Sequence, residues 1–398
     1  MANQVTHPGV FVEELPGVPV IAGVPTAITA FVGRTPMGPA TPLHCASFAD
    51  FQRTFGGFTA NYPLTSAVAD FFQNGGTDAF IVRVAKDSGP LGPDDLIGRD
   101  DRRTGLFALD QVDLFNLLCI PPDRDDFPDA DLARVYQSAA AYCLKRRAML
   151  IADPPRKWSA AARAGHFDRI LPADFGITQS DAANCAVYFP AIKKLDAAAA
   201  GGIEKIFPAS GAIAGVFAAS DLQAGVWKAP AGITAAIAGI TGLELELGDA
   251  QNGMLNPLGI NCLRSFPIYG PVVWGARTLR GADILADQYK YIPVRRLALY
   301  IEESLYRGTR FAAFEPNGAT LWAKLRGSIS NFMIGLWRQG GLFGASPAQA
   351  YFVQCDQTTT TPADIANGVV NIVLGFAPEK PAEFIILKIS QAAGQAAP

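Results

Sequence analysis

Two aspartates stand where an α/β enzyme would keep a catalytic carboxylate. Asp123 ends the apolar run CIPPD and Asp153 ends IADPP, each following a strand pattern. Ligands and acid–base groups of α/β folds gather at such carboxyl ends of parallel strands. Asp beside Pro is also ordinary turn chemistry. Neither residue has a second carboxylate or an activated nucleophile at readable spacing. The acidic run DRDDFPDAD at 123–131 has the charge for Ca²⁺ but not the geometry. Counted from Asp123, an EF-hand loop needs Gly sixth and Glu twelfth, and Pro128 and Arg134 stand there. The three histidines, His7, His44 and His166, lie in unrelated contexts. No P-loop, GxSxG elbow, HExxH or strand-linked GxGxxG occurs. No catalytic, cofactor or metal site is expected, with Asp123 and Asp153 the residues of an alternative reading as a hydrolase-like or transferase enzyme.

The elements that would hold these residues alternate. TAITAFVGR (26–34) and DAFIVRVA (78–85) predict strands, with two short helices between them that each stop at a Gly pair. Residues 86–104, rich in Gly, Pro and charge, predict a linker. Strand DLFNLLCIPP, helix DADLARVYQSAAAYCLKRR, strand AMLIADPP and strand NCAVYFP then imply βαβ units and a parallel sheet. Short strands or turns are expected over 201–260. Apolar spacing predicts helices from Pro293 to Gly308 and over 319–339, followed by strands AYFVQCD and GVVNIVLGFAP around the polar loop QTTTTPADIAN.

The 398 residues carry a net charge of −3, with 33 basic and 36 acidic residues. No Lys/Arg block reaches the density of a phosphate-backbone footprint, so no nucleic-acid partner is expected. The charged fraction of 17% is below the roughly 25% of typical domains, which suits a subunit whose faces are covered by neighbours and equally a large, low-charge enzyme. The N-terminal segment has no signal-peptide pattern and no apolar stretch reaches membrane-spanning length. Synthesis and assembly in the cytoplasm without direct membrane insertion are therefore expected. The six cysteines are scattered singly and are expected to be reduced core residues.

Both ends carry strand patterns that a terminus does not ordinarily show. At one end Val10, Phe11, Val12 and Glu13 lie in GVFVEE between Pro8 and Pro16. At the other, Phe384, Ile385, Ile386, Leu387 and Ile389 follow Pro378 and Pro381. A strand apolar on both faces needs an interior place, and left unpaired it invites aggregation. Donation into another subunit's sheet, by β-augmentation, supplies that place.

HPGVFVEELP, SGAIAGVFAASDLQAGVWKAPAG, NPLGINCLRSFP with VVWGARTL, and the long stretch from VRRLALYIEESLYRGTRFAAFEPNG to EKPAEFIILKI together resemble contractile tail sheath proteins. These belong to phage tails, tailocins and extracellular contractile injection systems. The resemblance is strongest over 205–391, good over about 5–85 and loose between. It implies an α/β fold: an α+β core domain with a mixed sheet built from both chain ends, an inserted outer α/β domain, and extended β-arms. The expected division is an N-terminal arm at 1–20, core at 21–88, insertion at 89–240, core at 241–378 and a C-terminal arm at 379–398. It further implies a helical homo-oligomer of sheath subunits around an inner tube protein, with baseplate and terminal cap proteins as partners and no cofactor. The arm residues above are then the subunit–subunit contacts. The helix over 319–339 is the candidate for the tube face, with Lys324, Arg326 and Arg338 as its polar contacts. The particle would be assembled in the producing cell, as part of a virion or a released phage tail-like particle.

Overall fold

The computed structural model describes residues 19–59, 62–86, 89–177, 180–199 and 201–384. The chain forms two compact units. The larger takes Val24–Glu303 and the chain from Pro378 onward, the smaller Ser304–Ala377 with the N-terminal residues up to Gly23.

The larger unit is built on one mixed sheet. In chain order its elements are β1 (Thr29–Gly33), β2 (Leu43–Cys45), α1 (Phe48–Phe55), α2 (Pro63–Gln73), β3 (Ala79–Arg83), α3 (Pro93–Ile97) and β4 (Leu117–Cys119). Next come α4 (Asp129–Arg146), β5 (Met149–Ala152), α5 (Arg156–Arg163), β6 (Cys185–Phe189), β7 (Ile192–Leu195), β8 (Glu204–Phe207) and α6 (Ser210–Ala224). Then follow β9 (Gly242–Leu243), α7 (Asp249–Leu255), β10 (Asn261–Phe266), β11 (Gly270–Val273) and α8 (Ile292–Gly308), which carries the chain past Glu303 into the smaller unit.

The eight strands of the main sheet run in the order β11-β10-β6-β5-β4-β1-β3-β2. From β10 to β3 they are parallel, with an antiparallel strand at each edge. Strands covered on both faces are apolar throughout rather than alternating with polar residues, and all of Thr29–Gly33, Met149–Ala152 and Cys185–Phe189 are buried. Successive side chains go to opposite cores. Val32, Leu118, Leu150 and Val187 face α4, while Phe31, Leu117, Ile151 and Ala186 face α2 and α6. Ser47 caps α1, its hydroxyl accepting from Asp50 N at 3.2 Å.

This sheet runs through the domain boundaries expected at 88/89 and 240/241. Phe31 of β1 pairs in register with Ile81 of β3 on one side and Cys119 of β4 on the other. The physical reason is the segment 86–104. Its described residues from 89 on form α3 and a tight return at Gly98, φ 69°, packed against the Thr104 carbonyl. That return keeps the chain on the sheet instead of leading it away. The region expected as short strands or turns holds α6, a fifteen-residue helix.

The smaller unit continues with α9 (Ala319–Arg338), α10 (Pro347–Ala350), β12 (Tyr351–Gln354), α11 (Pro362–Ala366) and β13 (Val373–Phe376). Leu321, Trp322 and Leu325 of α9 pack with Cys355. Asn317 fixes the approach to α9: its carbonyl accepts from Trp322 Nε1 at 2.9 Å and its amide donates to Val369 O at 2.9 Å. The stretch expected as a plain loop contains α11, started by a capping box of Thr361 and Asp364.

Candidate subunit-joining site

β12 and β13 form an antiparallel ribbon, with Tyr351 opposite Phe376 and Val353 opposite Leu374. Among the described residues it gains no third strand. A two-stranded ribbon is marginal in water, and each outer edge presents backbone N–H and C=O groups that a further strand can pair. Phe352 on β12 is 55% exposed and Val373 on β13 is 45% exposed, so apolar side chains stand open on the faces of the ribbon. No β12 or β13 residue is fully buried. Among the described residues, then, neither edge of the ribbon is paired with a further strand.

The arm residues Val10, Phe11, Val12, Glu13, Ile385, Ile386, Leu387 and Ile389 lie outside the described residues. Phe384, the last described residue, is 75% exposed.

The α9 face is divided by helical spacing. Leu321, Leu325, Ser328, Ile329, Met333 and Leu336 are buried. Lys324, Asn331 and Arg338 stand seven residues apart on the opposite, exposed face. Arg326 does not join them: it is half-buried and donates to the Cys355 carbonyl at 2.5 Å.

Asp123 and Asp153 do follow β4 and β5, but both are consumed within the fold. At the point where the strand order reverses, between β1 and β4, Asp123 Oδ1 accepts from Arg34 Nε at 3.0 Å and Oδ2 from Leu91 N at 3.0 Å. The Arg34 guanidinium lies 5.2 Å from the Tyr62 ring centroid. Asp153, buried but lining a cleft, stands at the start of α6, where its oxygens accept from Ser210 N at 2.9 Å and Ser210 Oγ at 2.7 Å. A carboxylate there satisfies donors that a helix start leaves unpaired. A cleft of about 870 Å³ opens beside it, lined among others by Tyr62, Arg156, Lys193 and Phe207. Among the described residues its lining contains no histidine or cysteine, and its Ser159 hydroxyl donates to Glu244 at 2.7 Å. Among the described residues no group of three His, Cys, Asp or Glu could hold a metal ion, and no helix is long and apolar enough to cross a membrane.

Burial pushes the Asp153 carboxyl from 3.8 up to about 6, against the pull of its Ser210 hydrogen bonds. The folded chain then binds the proton more tightly than the unfolded chain. The contribution is most favourable below pH 3.8 and declines as pH rises to about 6, at a cost of about 3 kcal/mol by pH 7. Asp153→Asn keeps an acceptor for Ser210 N and removes the titration. Relative to wild type, its urea midpoint should therefore improve as pH goes from 4 to 7. Parallel profiles would contradict this. The comparison between the two chains matters because Asp70, paired with Lys194 at 2.5 Å, is also pushed to about 6 by burial and adds a slope common to both.

The fold is a mixed α/β one in which both strand-end carboxylates are committed to hydrogen bonds within the chain. Residues 108–279 match the phage tail sheath protein central domain and residues 286–392 the phage tail sheath C-terminal domain. The helical sheath of the anti-feeding prophage in its contracted state is similar at 30% identity, covering 97% of this chain and 99% of that one, with a TM-score of 0.75. The contracted sheath of an extracellular contractile injection system, PVC, is similar at 28% identity over 98% and 99%, with a TM-score of 0.74. The tail sheath protein of Vibrio phage KVP40 is 26% identical over 181 residues, 45% of this chain. The chain spans about a quarter of the length of the curated tail sheath proteins it matches. The chain belongs to the phage tail sheath family, a family of structural proteins, and the alternative enzyme reading is not supported.

Proposed function

We propose that copies of this chain polymerise as a helical sheath around an inner tube and contract to drive that tube through a target envelope. The carrying observation is the likeness to the contracted anti-feeding prophage sheath, which extends over 97% of the chain. A baseplate protein would seat one end, as the likeness to a chain of the anti-feeding prophage baseplate suggests, and a cap protein the other. Assembly takes place in the producing cell's cytoplasm, and the particle acts as a virion tail or after release.

In this reading GVFVEE and EFIILKI are donated strands and the β12–β13 ribbon receives them from neighbours. Burying an apolar side chain contributes roughly 1.5–3 kcal/mol, against about 1–2 kcal/mol for ordering each backbone residue. The joint is stable only when both faces and the ladder bonds are met. The ribbon's open edges and its exposed Phe352 provide for that. Lys324 and Arg338 on the outer face of α9 are the proposed tube contacts, and Arg326 supports the helix from within.

The test is direct. The purified chain, concentrated alone and together with its tube protein, should give hollow striated cylinders in negative stain, with the tube inside them when present. Persistently monomeric protein under both conditions would overturn the proposal.

A further inference from the structure

The larger unit contains an ion-pair hub centred on Arg277. Arg277, in the VVWGARTL stretch after β11, is 0% exposed. Its guanidinium grips Glu383 with a two-pronged fork, Nε to Oε1 at 2.8 Å and Nη2 to Oε2 at 2.6 Å. Nη1 donates to Asn256 O at 2.8 Å, to Gly281 O at 3.2 Å and to Asp283 at 3.0 Å. Tyr291 adds its hydroxyl to Glu383 Oε2 at 3.2 Å. The Arg277 backbone is held as firmly. Asn261 of β10, itself fully buried, accepts from Arg277 N and donates to Arg277 O, both at 2.7 Å. An unbroken series of bonds thus runs from the main sheet through Asn261 and Arg277 to Glu383.

Glu383 immediately precedes Phe384 and the apolar run IILKI. The prolines before it suggest a tether free from Pro378 onward. The fork contradicts that picture: the chain is pinned at residue 383 after the prolines have brought it back to the larger unit. Paired forks between guanidinium and carboxylate fix orientation as well as position. Burial weakens the Arg277 charge, but the Glu383 bonds outweigh it and raise the guanidinium's pKa.

We infer that Arg277 and Glu383 are the anchor of the C-terminal arm, fixing its point of departure and carrying load from the donated strand into the eight-stranded sheet. The inference rests on the reading of 384–389 as a donated strand. An arm rooted at a fixed point searches a smaller volume for its acceptor, so the effective concentration at the joint rises. A joint that must survive a helical rearrangement also needs a root that does not slip. Arg277 and Glu383 are positioning residues here; the strand itself makes the joint.

The experiment measures the concentration threshold for cylinder formation by sedimentation, alongside hydrogen exchange over residues 379–384. Glu383→Gln leaves one acceptor for two donors and is expected to raise the threshold about tenfold and to speed that exchange by a similar factor. Tyr291→Phe removes only the third contact and is expected to shift the threshold about threefold. It keeps the test alive if the Gln variant folds poorly. Ile213→Val, a core change in the same unit away from the hub, calibrates the effect of lost stability alone. A threshold shift no larger than that of Ile213→Val overturns the anchor. So do Gln and Phe variants that assemble like wild type while a chain lacking 385–398 does not, an outcome that leaves strand donation standing. Normal assembly of the chain lacking 385–398 overturns strand donation and the anchor together.

Discussion

Deletion of residues 385–398 is expected to leave a folded chain that no longer forms sheaths. The two faces of the main sheet are filled by side chains between Ala30 and Ile292, and the deletion spares Glu383 and its bonds to Arg277. The unfolding midpoint of the monomer should therefore hold. Assembly should not, because the deletion removes Ile385, Ile386, Leu387 and Ile389. A net loss of about 3 kcal/mol per joint, small against the gross burial of four apolar side chains, raises the assembly threshold more than a hundredfold. Sedimentation and negative-stain images should show monomers at concentrations where the full chain gives cylinders. Cylinders of normal diameter and abundance would eliminate the C-terminal strand as an intersubunit tie.

How much of this was legible depended on whether the relevant signal is local. Phe31 and Val32, or Leu117 and Leu118, go to opposite cores, and the runs they sit in announce buried parallel strands from sequence alone. The buried stripe of α9 was equally open to reading because Leu321, Leu325, Ile329 and Leu336 recur at helical spacing. The same spacing already sets Arg326 apart, about 200° round the helix from Lys324, whereas Arg338, fourteen residues on, returns close to the Lys324 face. The inward reach of Arg326 depends on Cys355, which arrives from a later strand end. α6 was hidden for a different reason: it is buried along most of its length, so no polar face marks its period. The break expected at 86–104 followed composition, while the chain's return there follows backbone geometry at Gly98. Asp123 and Asp153 were placed rightly at strand ends. Their roles turned on Arg34, Leu91 and Ser210, partners 32 to 89 residues away. Arg277 and Glu383, 106 residues apart, had no local signal at all.

The contact between α2 and α6 should be among the least tolerant places in the larger unit. A Cβ on Gly211 would sit 2.1 Å from the Ala67 carbonyl oxygen, and one on Gly215 would sit 2.5 Å from Phe71 O. The obstacle in each case is backbone, which cannot rotate away as a side chain would. Gly211→Ala must therefore push the helices apart, and overpacking of this kind costs about 1–3 kcal/mol. The displacement would be felt next door as well. Ser210 donates to both oxygens of Asp153, and moving it takes two donors from a buried carboxylate. The two effects share one helix start, so the combined loss should exceed about 3 kcal/mol, with Gly211→Val failing to fold. Gly253 of α7, which has nothing within 4 Å of an added Cβ, is the control. There Ala replaces a helical glycine in open space and should stabilise by about 0.5–1 kcal/mol. Urea unfolding of the two Ala variants would then move in opposite directions. A Gly211→Ala midpoint at or above wild type would mean that α6 can slide on α2 without disturbing Asp153, which the 2.1 Å approach does not allow.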